Sequence, residues 1–297
     1  MLLERLKANL NRTCQRLERL DQIIPGRPED RLAAYRDDPT LIMRDAGFIP
    51  DPWQANLLQS NDPRILICAA RQVGKSRAVS FLALQTILTK PRSTVIIVAP
   101  VAEQSNELLG KVIESYHAID DPIPVKREAV TRLELMNGSR VIALPGLERR
   151  MRSYTASLLL IDEAARVPDA VMNAASPTMA VSRGRMIALS TAFAKSGWFY
   201  KEWVEGDCKQ LSITAQDCPR IPADFLRSER RKLGKRWFEM EYLNVFGDDM
   251  AAVFSTEDIK AAVSYEVKPL FPVRKDYHDD SGKSPATDPA IRPLFGR

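Results

Sequence analysis

Six short apolar runs, set apart by amphipathic stretches, constrain this sequence more than any other feature. ILICA (65–69), TVIIVA (94–99), RVIAL (140–144), SLLLID (157–162), RMIALS (185–190) and KQLSIT (209–214) have the length of strands. Their apolar residues run consecutively rather than alternating, which predicts strands buried on both faces. Helical spacing over 76–89, 101–117 and 196–205 fills several of the intervals. Strands alternating with helices predict an α/β chain whose mainly parallel sheet is covered on both sides. One hairpin interrupts the series: AVTRLELM and SRVIAL flank Asn137-Gly138, a two-residue turn signal.

The regions on either side read differently. Leu2, Leu3, Leu6, Leu10, Leu17 and Leu20 recur at near-helical spacing among arginines and lysines, predicting an amphipathic basic helix before the break IIPGRPED. Residues 1–44 are therefore expected as an N-terminal helical segment and 45–250 as the main domain. Within the latter, 222–246 reads as two helices broken near Gly234. Residues 251–297 are expected as a linker and a loose tail, polar and without periodicity in its last part.

Composition narrows the class. An apolar fraction of 45% and a charged fraction of 27% in 297 residues suit an ordinary globular chain with a sizeable core. No apolar run nears the roughly 18 to 20 residues of a membrane span, and the N-terminus lacks a secretory leader, so a cytoplasmic protein with no membrane role is expected. Four scattered cysteines, no C-x-x-C pair and two histidines offer no zinc site. The net charge of +5 permits a polyanionic partner without requiring one.

The chemistry lies in CAARQVGKS, Cys68 to Ser76. It ends as a phosphate-binding loop does, in Gly74-Lys75-Ser76, but Ala69 stands where that pattern places its first glycine. The tripeptide proves nothing alone, since Gly282-Lys283-Ser284 repeats it inside the polar run DDSGKSPATDP. Context separates the copies. The first follows a buried strand and opens a helix, the setting in which inward backbone N–H groups of Ala70, Arg71, Gln72, Val73 and Gly74, a helix N-terminus and Lys75 can cradle phosphates. Ala69, at the strand's exit, has no need of positive φ.

A second motif supports the first. LLLIDEAARV sets four apolar residues ahead of Asp162 and Glu163, which places both carboxylates at the carboxyl end of a strand, where open α/β sheets bind ligands. Asp162 and Ser76 suit Mg²⁺, and Glu163 suits the orientation or deprotonation of water. Together the motifs indicate ATP or GTP hydrolysis on a P-loop NTPase fold. An N-K-x-D guanine reader is absent. Gln54, in DPWQ just upstream, is a candidate adenine reader through its amide. Ser190-Thr191-Ala192, ending RMIALS, is either a sensor of the γ-phosphate or a plain strand end.

In this order the pieces resemble the ATPase domain of the large terminase subunit, the DNA-packaging motor of tailed bacteriophages. The similarity runs over about residues 45 to 250 and rests on DPWQ, AARQVGKS, LLLIDEAA and STA. The family tolerates a non-glycine at the loop's first position. The resemblance implies ATP and Mg²⁺ as cofactors and a coupling role for Ser190, Thr191 and Ala192. It further implies that Arg71 acts on the γ-phosphate and that Arg152 serves a neighbouring subunit's site, although a solvated basic loop accounts for Arg152 equally well. Double-stranded DNA, a portal protein and a small terminase subunit are the implied partners, with the working form a homo-oligomeric ring in the bacterial cytoplasm. The family's nuclease domain is not legible after residue 250, so DNA cleavage is not expected of this chain. Two alternatives stay open: a superfamily 2 helicase-like ATPase, and a non-catalytic DNA-binding or assembly relic of a truncated prophage gene.

Overall fold

The computed structural model describes residues 28–120, 122–145, 154–180 and 182–248. The described residues begin with α1 (Pro28–Asp37), α2 (Leu41–Asp45) and α3 (Pro52–Gln59). It continues through β1 (Arg64–Ala69), α4 (Lys75–Thr89), β2 (Thr94–Ala99), α5 (Ala102–His117), β3 (Val125–Ala129), β4 (Arg132–Leu135), β5 (Arg140–Pro145) and β6 (Leu158–Asp162). After a 3₁₀ turn (Ala164–Arg166) follow α6 (Asp169–Ala175), β7 (Arg185–Ser190), α7 (Gly197–Glu205), β8 (Lys209–Ile213) and α8 (Ala223–Leu243). Among these residues no helix is long and apolar enough to cross a membrane, and Cys68, Cys208 and Cys218 are buried free thiols.

The strands form one eight-stranded sheet in the order β3-β4-β5-β2-β6-β7-β1-β8. From β5 to β8 every pairing is parallel, whereas β3–β4 and β4–β5 are antiparallel. Alternate residues of each central strand face opposite layers, as a pleated strand dictates. Ile65, Ile67, Val95, Ile97, Leu158, Leu160, Ile187 and Leu189 join one core with α4 and α5. Leu66, Ile96, Val98, Leu159, Ile161, Met186 and Ala188 join the other, with α6 and α7. Burial on both faces explains why these strands read as unbroken apolar runs. Helix α4 is itself buried along most of its length, from Ala78 to Thr89, so the element opened by Lys75 is fixed in the core.

Two expectations are corrected at the sheet's edges. AVTRLELM is not one strand: Ala129 closes β3, Val130 and Thr131 turn, and Arg132 opens β4. The extra strand VKREA is largely exposed and carries no apolar run to announce it. Among the described residues KQLSIT pairs with β1 alone, and most of its side chains reach solvent rather than a second buried face. Both departures have one cause: an edge strand has fewer neighbours to hide behind.

The predicted break in 222–246 is present. α8 carries one residue outside helical geometry, Gly234 at φ 74°, ψ 167°. That region of backbone space is open essentially to glycine alone. A Cβ there would meet no atom within 4 Å, so the cost of Gly234→Ala is backbone strain rather than a clash. Chemical denaturation is expected to show a loss of about 1–3 kcal/mol for this substitution; an unchanged midpoint would mean that the bend is not fixed in solution.

Candidate nucleotide site

The loop after β1 is built from its backbone. Positive φ falls on Gln72 (62°) and Gly74 (92°) and not on Ala69, so the missing first glycine imposes no strain. The amide of Ala70 donates to the Ile213 carbonyl at 2.9 Å and that of Arg71 to the Glu241 carbonyl at 3.1 Å. Among the described residues the amides of Gln72, Val73 and Gly74 have no backbone acceptor. With the first amides of α4 they leave a run of unpaired backbone donors at a helix N-terminus, the kind of site that binds anions. Gly74 is favoured by its left-handed φ, and a Cβ there would lie 2.8 Å from Gln54 Nε2, displacing the amide that donates to the Gly74 carbonyl.

The facing wall is the end of β6. Asp162 is 8% exposed; burial first, and then the charge of Glu163, push its carboxyl up to about 6, against the opposing pull of Lys75. Glu163 adopts left-handed geometry (φ 48°, ψ 42°), a conformation that non-glycine residues hold at a cost. Its amide donates to Asp162 Oδ1 at 2.9 Å, while Lys75 Nζ stands 3.9 Å from its Oε1. Lys75, Ser76, Gln104, Lys111, Asp162 and Glu163 line one cleft of about 180 Å³. A larger cavity of about 410 Å³ involves Arg36, Lys90 and Arg185, at the amino end of β7 and so at the other end of the sheet from these motifs.

The cleft's donors fit a hard divalent cation. Ser76 offers a hydroxyl and Asp162 a carboxylate, and the buried Gln104 Oε1 has no hydrogen-bond partner among the described residues. Among the described residues no three or more His, Cys, Asp or Glu are placed so that together they could hold a metal ion. Glu163 and Glu107 line the same cleft, but the hydroxyl of Ser76 and the carboxylate of Asp162 alone suit a Mg²⁺ completed by water and substrate phosphates rather than an all-protein cage.

The other predicted residues fall around this cleft in different ways. Ser190, Thr191 and Ala192 are fully buried at and just beyond the end of β7, which lies between β1 and β6; all three motifs therefore leave adjacent strands at the same end. Gln54 is 4% exposed, with Oε1 accepting the Asp51 amide at 2.9 Å and Nε2 donating to the Gly74 carbonyl at 3.3 Å, so its amide ties α3 to the loop. Arg71 is paired in a fork with Glu241, at 2.7 and 3.0 Å, and its side chain is largely exposed. Arg152 lies outside the described residues.

Several residues that sequence reasoning missed complete the site. Arg166, three residues after Glu163, donates Nη1 to Glu163 Oε2 at 2.6 Å and to Thr191 Oγ1 at 3.4 Å. Its Nη2 is 3.9 Å from Glu241 Oε1, and its guanidinium lies over the Phe193 ring. One side chain thus touches the β6 carboxylate, the β7 hydroxyl and the partner of Arg71. Asn244 Nδ2 donates to the Cys68 carbonyl at 2.9 Å, and Arg220 grips Asp51 through two bonds of 2.6 Å. Only Arg166 had a sequence signal, its position in DEAAR; the rest come from over 140 residues away.

Residues 66–261 match the family model for the terminase large subunit, T4likevirus-type, N-terminal. The terminase large subunit of Thermus phage G20c is 24% identical over 273 residues, covering 79% of this chain and 56% of that protein; the chain thus spans little more than half the length of this curated relative. The large terminase ATPase domain of Thermus phage P74-26 superposes with TM-score 0.62 at 22% identity, covering 69% of this chain and 96% of that domain. The large terminase of another thermophilic bacteriophage, solved in complex with ADP, superposes with TM-score 0.57 at 13% identity over 66% of this chain and 53% of that one. At these identities the structures speak to the fold; the sequence model, matching about two thirds of the residues, places the chain in the terminase large subunit family of the T4likevirus type, over its N-terminal domain.

Proposed function

We propose that the chain is the ATP-hydrolysing motor of a phage or prophage DNA-packaging machine, moving double-stranded DNA into a procapsid. The observation that carries the reading is the meeting of the phosphate-loop lysine and the β6 carboxylates in one cleft, with Lys75 Nζ 3.9 Å from Glu163 Oε1. That a related large terminase was solved with ADP and with ATP-gamma-S supports a nucleotide there. Its working form is a homo-oligomeric ring on the portal protein, served by the small terminase subunit in the host cytoplasm.

The roles follow from the chemistry of the side chains. Amides from Gln72 to Ser76 and the Lys75 ammonium hold the β and γ phosphate oxygens. Gln54 keeps the loop against α3, on the side where adenine would lie. Ser76 and Asp162 would hold Mg²⁺, which when bound neutralises charge on the phosphates. Glu163 orients the attacking water and takes its proton. Arg71 is free to turn toward the γ-phosphate only after leaving Glu241. Thr191, joined to Glu163 through Arg166, senses the change.

Arg166 then positions Glu163 rather than acting on substrate. For Arg166→Ala we expect kcat to fall about tenfold while the KM for ATP changes less than about threefold, because an interaction that orients the base alters the transition state more than ground-state binding. Arg166→Lys should not restore the rate, since a point charge cannot reach Glu163, Thr191 and Glu241 together. Steady-state kinetics check both. The function itself is tested by phosphate release from ATP by the purified chain: Mg²⁺-dependent turnover that duplex DNA stimulates is expected, and turnover absent with and without DNA would overturn the proposal.

A further inference from the structure

α8 presents a strongly basic surface at its bend. From Arg227 to Arg236 the sequence RSERRKLGKR holds six cations and one carboxylate, and the stretch from Arg230 to Trp237 is exposed throughout. Glu229 is occupied, paired with Lys232 at 3.1 Å and accepting from Tyr242. Lys235 has only a distant partner, Glu239 at 3.9 Å, and Arg236 donates to the Asp248 carbonyl. Among the described residues no ion pair or side-chain hydrogen bond engages Arg227, Arg230 or Arg231. Their spacing of three and four residues puts them on one face of the first arm.

The second arm of the same helix grips the phosphate loop. Glu241, buried, takes the Arg71 guanidinium on its carboxylate and the Arg71 amide on its carbonyl, and Asn244 holds the carbonyl of Cys68. Gly234 joins the two arms with the one backbone conformation in α8 that is not helical. The helix that carries the basic arm is therefore joined to the loop through a short, hydrogen-bonded path.

We propose that the basic face of α8 docks on the sugar–phosphate backbone of duplex DNA, and that its occupancy is communicated to the nucleotide cleft through Glu241 and Asn244. The proposal rests on the packaging-motor reading for its choice of duplex DNA. Arginine forks match phosphate oxygens and stay charged at every physiological pH. A membrane surface suits this face poorly: only Leu233 and Trp237 are large exposed apolar residues on it, too little area for interfacial anchoring. Backbone contacts of this kind ignore base sequence, as a translocating motor requires.

The test uses the full chain, a fluorescent duplex of mixed sequence and a salt titration. Each phosphate contact contributes roughly 0.9 to the slope of log affinity against log salt, so replacing Arg227, Arg230 and Arg231 together by alanine should lower that slope by roughly 2–3 and weaken binding at least about tenfold. The same variant should keep the DNA-free ATP turnover of the parent and lose its stimulation by DNA. A triple lysine variant, which keeps the charge, should retain most of the slope and shows that the alanine effect is not misfolding. Glu241→Gln should bind DNA as the parent does yet respond to it weakly. Unchanged slope and stimulation in the alanine variant would overturn the proposal, as would a changed sedimentation coefficient with unchanged DNA affinity, which would assign the face to a second copy of the chain. Salt-dependent binding lost in the alanine variant, in a chain without ATP turnover, would uphold the surface while refuting the motor.

Discussion

Replacing Glu163 by glutamine is expected to lower ATP turnover by about 10²- to 10⁴-fold, the usual range for removal of a general base, while leaving nucleotide binding nearly intact. Glutamine has the same shape, so it can still accept from Arg166, which reaches Glu163 Oε2 at 2.6 Å. It lacks the basicity to take a proton from water. The left-handed backbone at this position (φ 48°) is not relieved by the change, so the fold should be indifferent to it. Phosphate-release kinetics beside a fluorescent-nucleotide titration separate the two effects. A variant that turns over at the parent's rate would remove Glu163 from the reaction and leave it as a structural partner of Arg166.

Lys75→Ala should act on both binding and rate. The ammonium is mostly buried and stands 3.9 Å from Glu163 Oε1, on the carboxylate oxygen that Arg166 does not take. It opens α4, whose buried face fixes its position. Loss of one preorganised charge aimed at developing phosphate charge lowers kcat by about 10²- to 10³-fold, and a weaker grip on the β and γ phosphates raises the KM for ATP as well. The side chain contributes little to the core, so thermal stability should stay close to the parent's. Turnover that survives this substitution would mean that phosphates bind elsewhere.

How much of this was legible in the sequence depended on how local the signal was. Central strands declared themselves because burial on two faces demands unbroken apolar runs, as in TVIIVA. Gly234 broke a helical pattern and Asn137-Gly138 broke a strand pattern, each by its own backbone chemistry. β3 was illegible because an exposed edge strand such as VKREA has no pattern to keep. At the site, the two motifs could be read because each is a contiguous string whose strand and helix context is also local. The residues that bind them together could not: Glu241 meets Arg71 across 170 positions, and Asn244 meets Cys68 across 176. Nothing in the immediate sequence of α8 distinguishes Glu241 from an ordinary helix-surface carboxylate.

Gln54 and Arg71 show the same limit from the other side. Their types and places suggested contact with nucleotide, yet each has a protein partner: Gln54 holds Asp51 and Gly74, and Arg71 holds Glu241. A sequence states which groups are near the loop, but partner choice is decided by tertiary geometry. For Arg71 the consequence is chemical, since any action on a γ-phosphate requires exchange of a two-bond ion pair for a phosphate contact. The Arg71–Glu241 pair links the loop to α8 and, through Arg166, to Glu163 and Thr191.

Whether one triphosphate is held between Lys75 and the Asp162/Glu163 pair can be seen in a structure of the chain with Mg²⁺ and a non-hydrolysable ATP analogue. The β and γ phosphates are expected at the N-terminus of α4 in contact with Lys75, with Ser76 and Asp162 holding the metal ion and Glu163 on the side of the γ-phosphate. An analogue bound at any other end or edge of the sheet, or none bound at saturating concentration, would contradict this expectation.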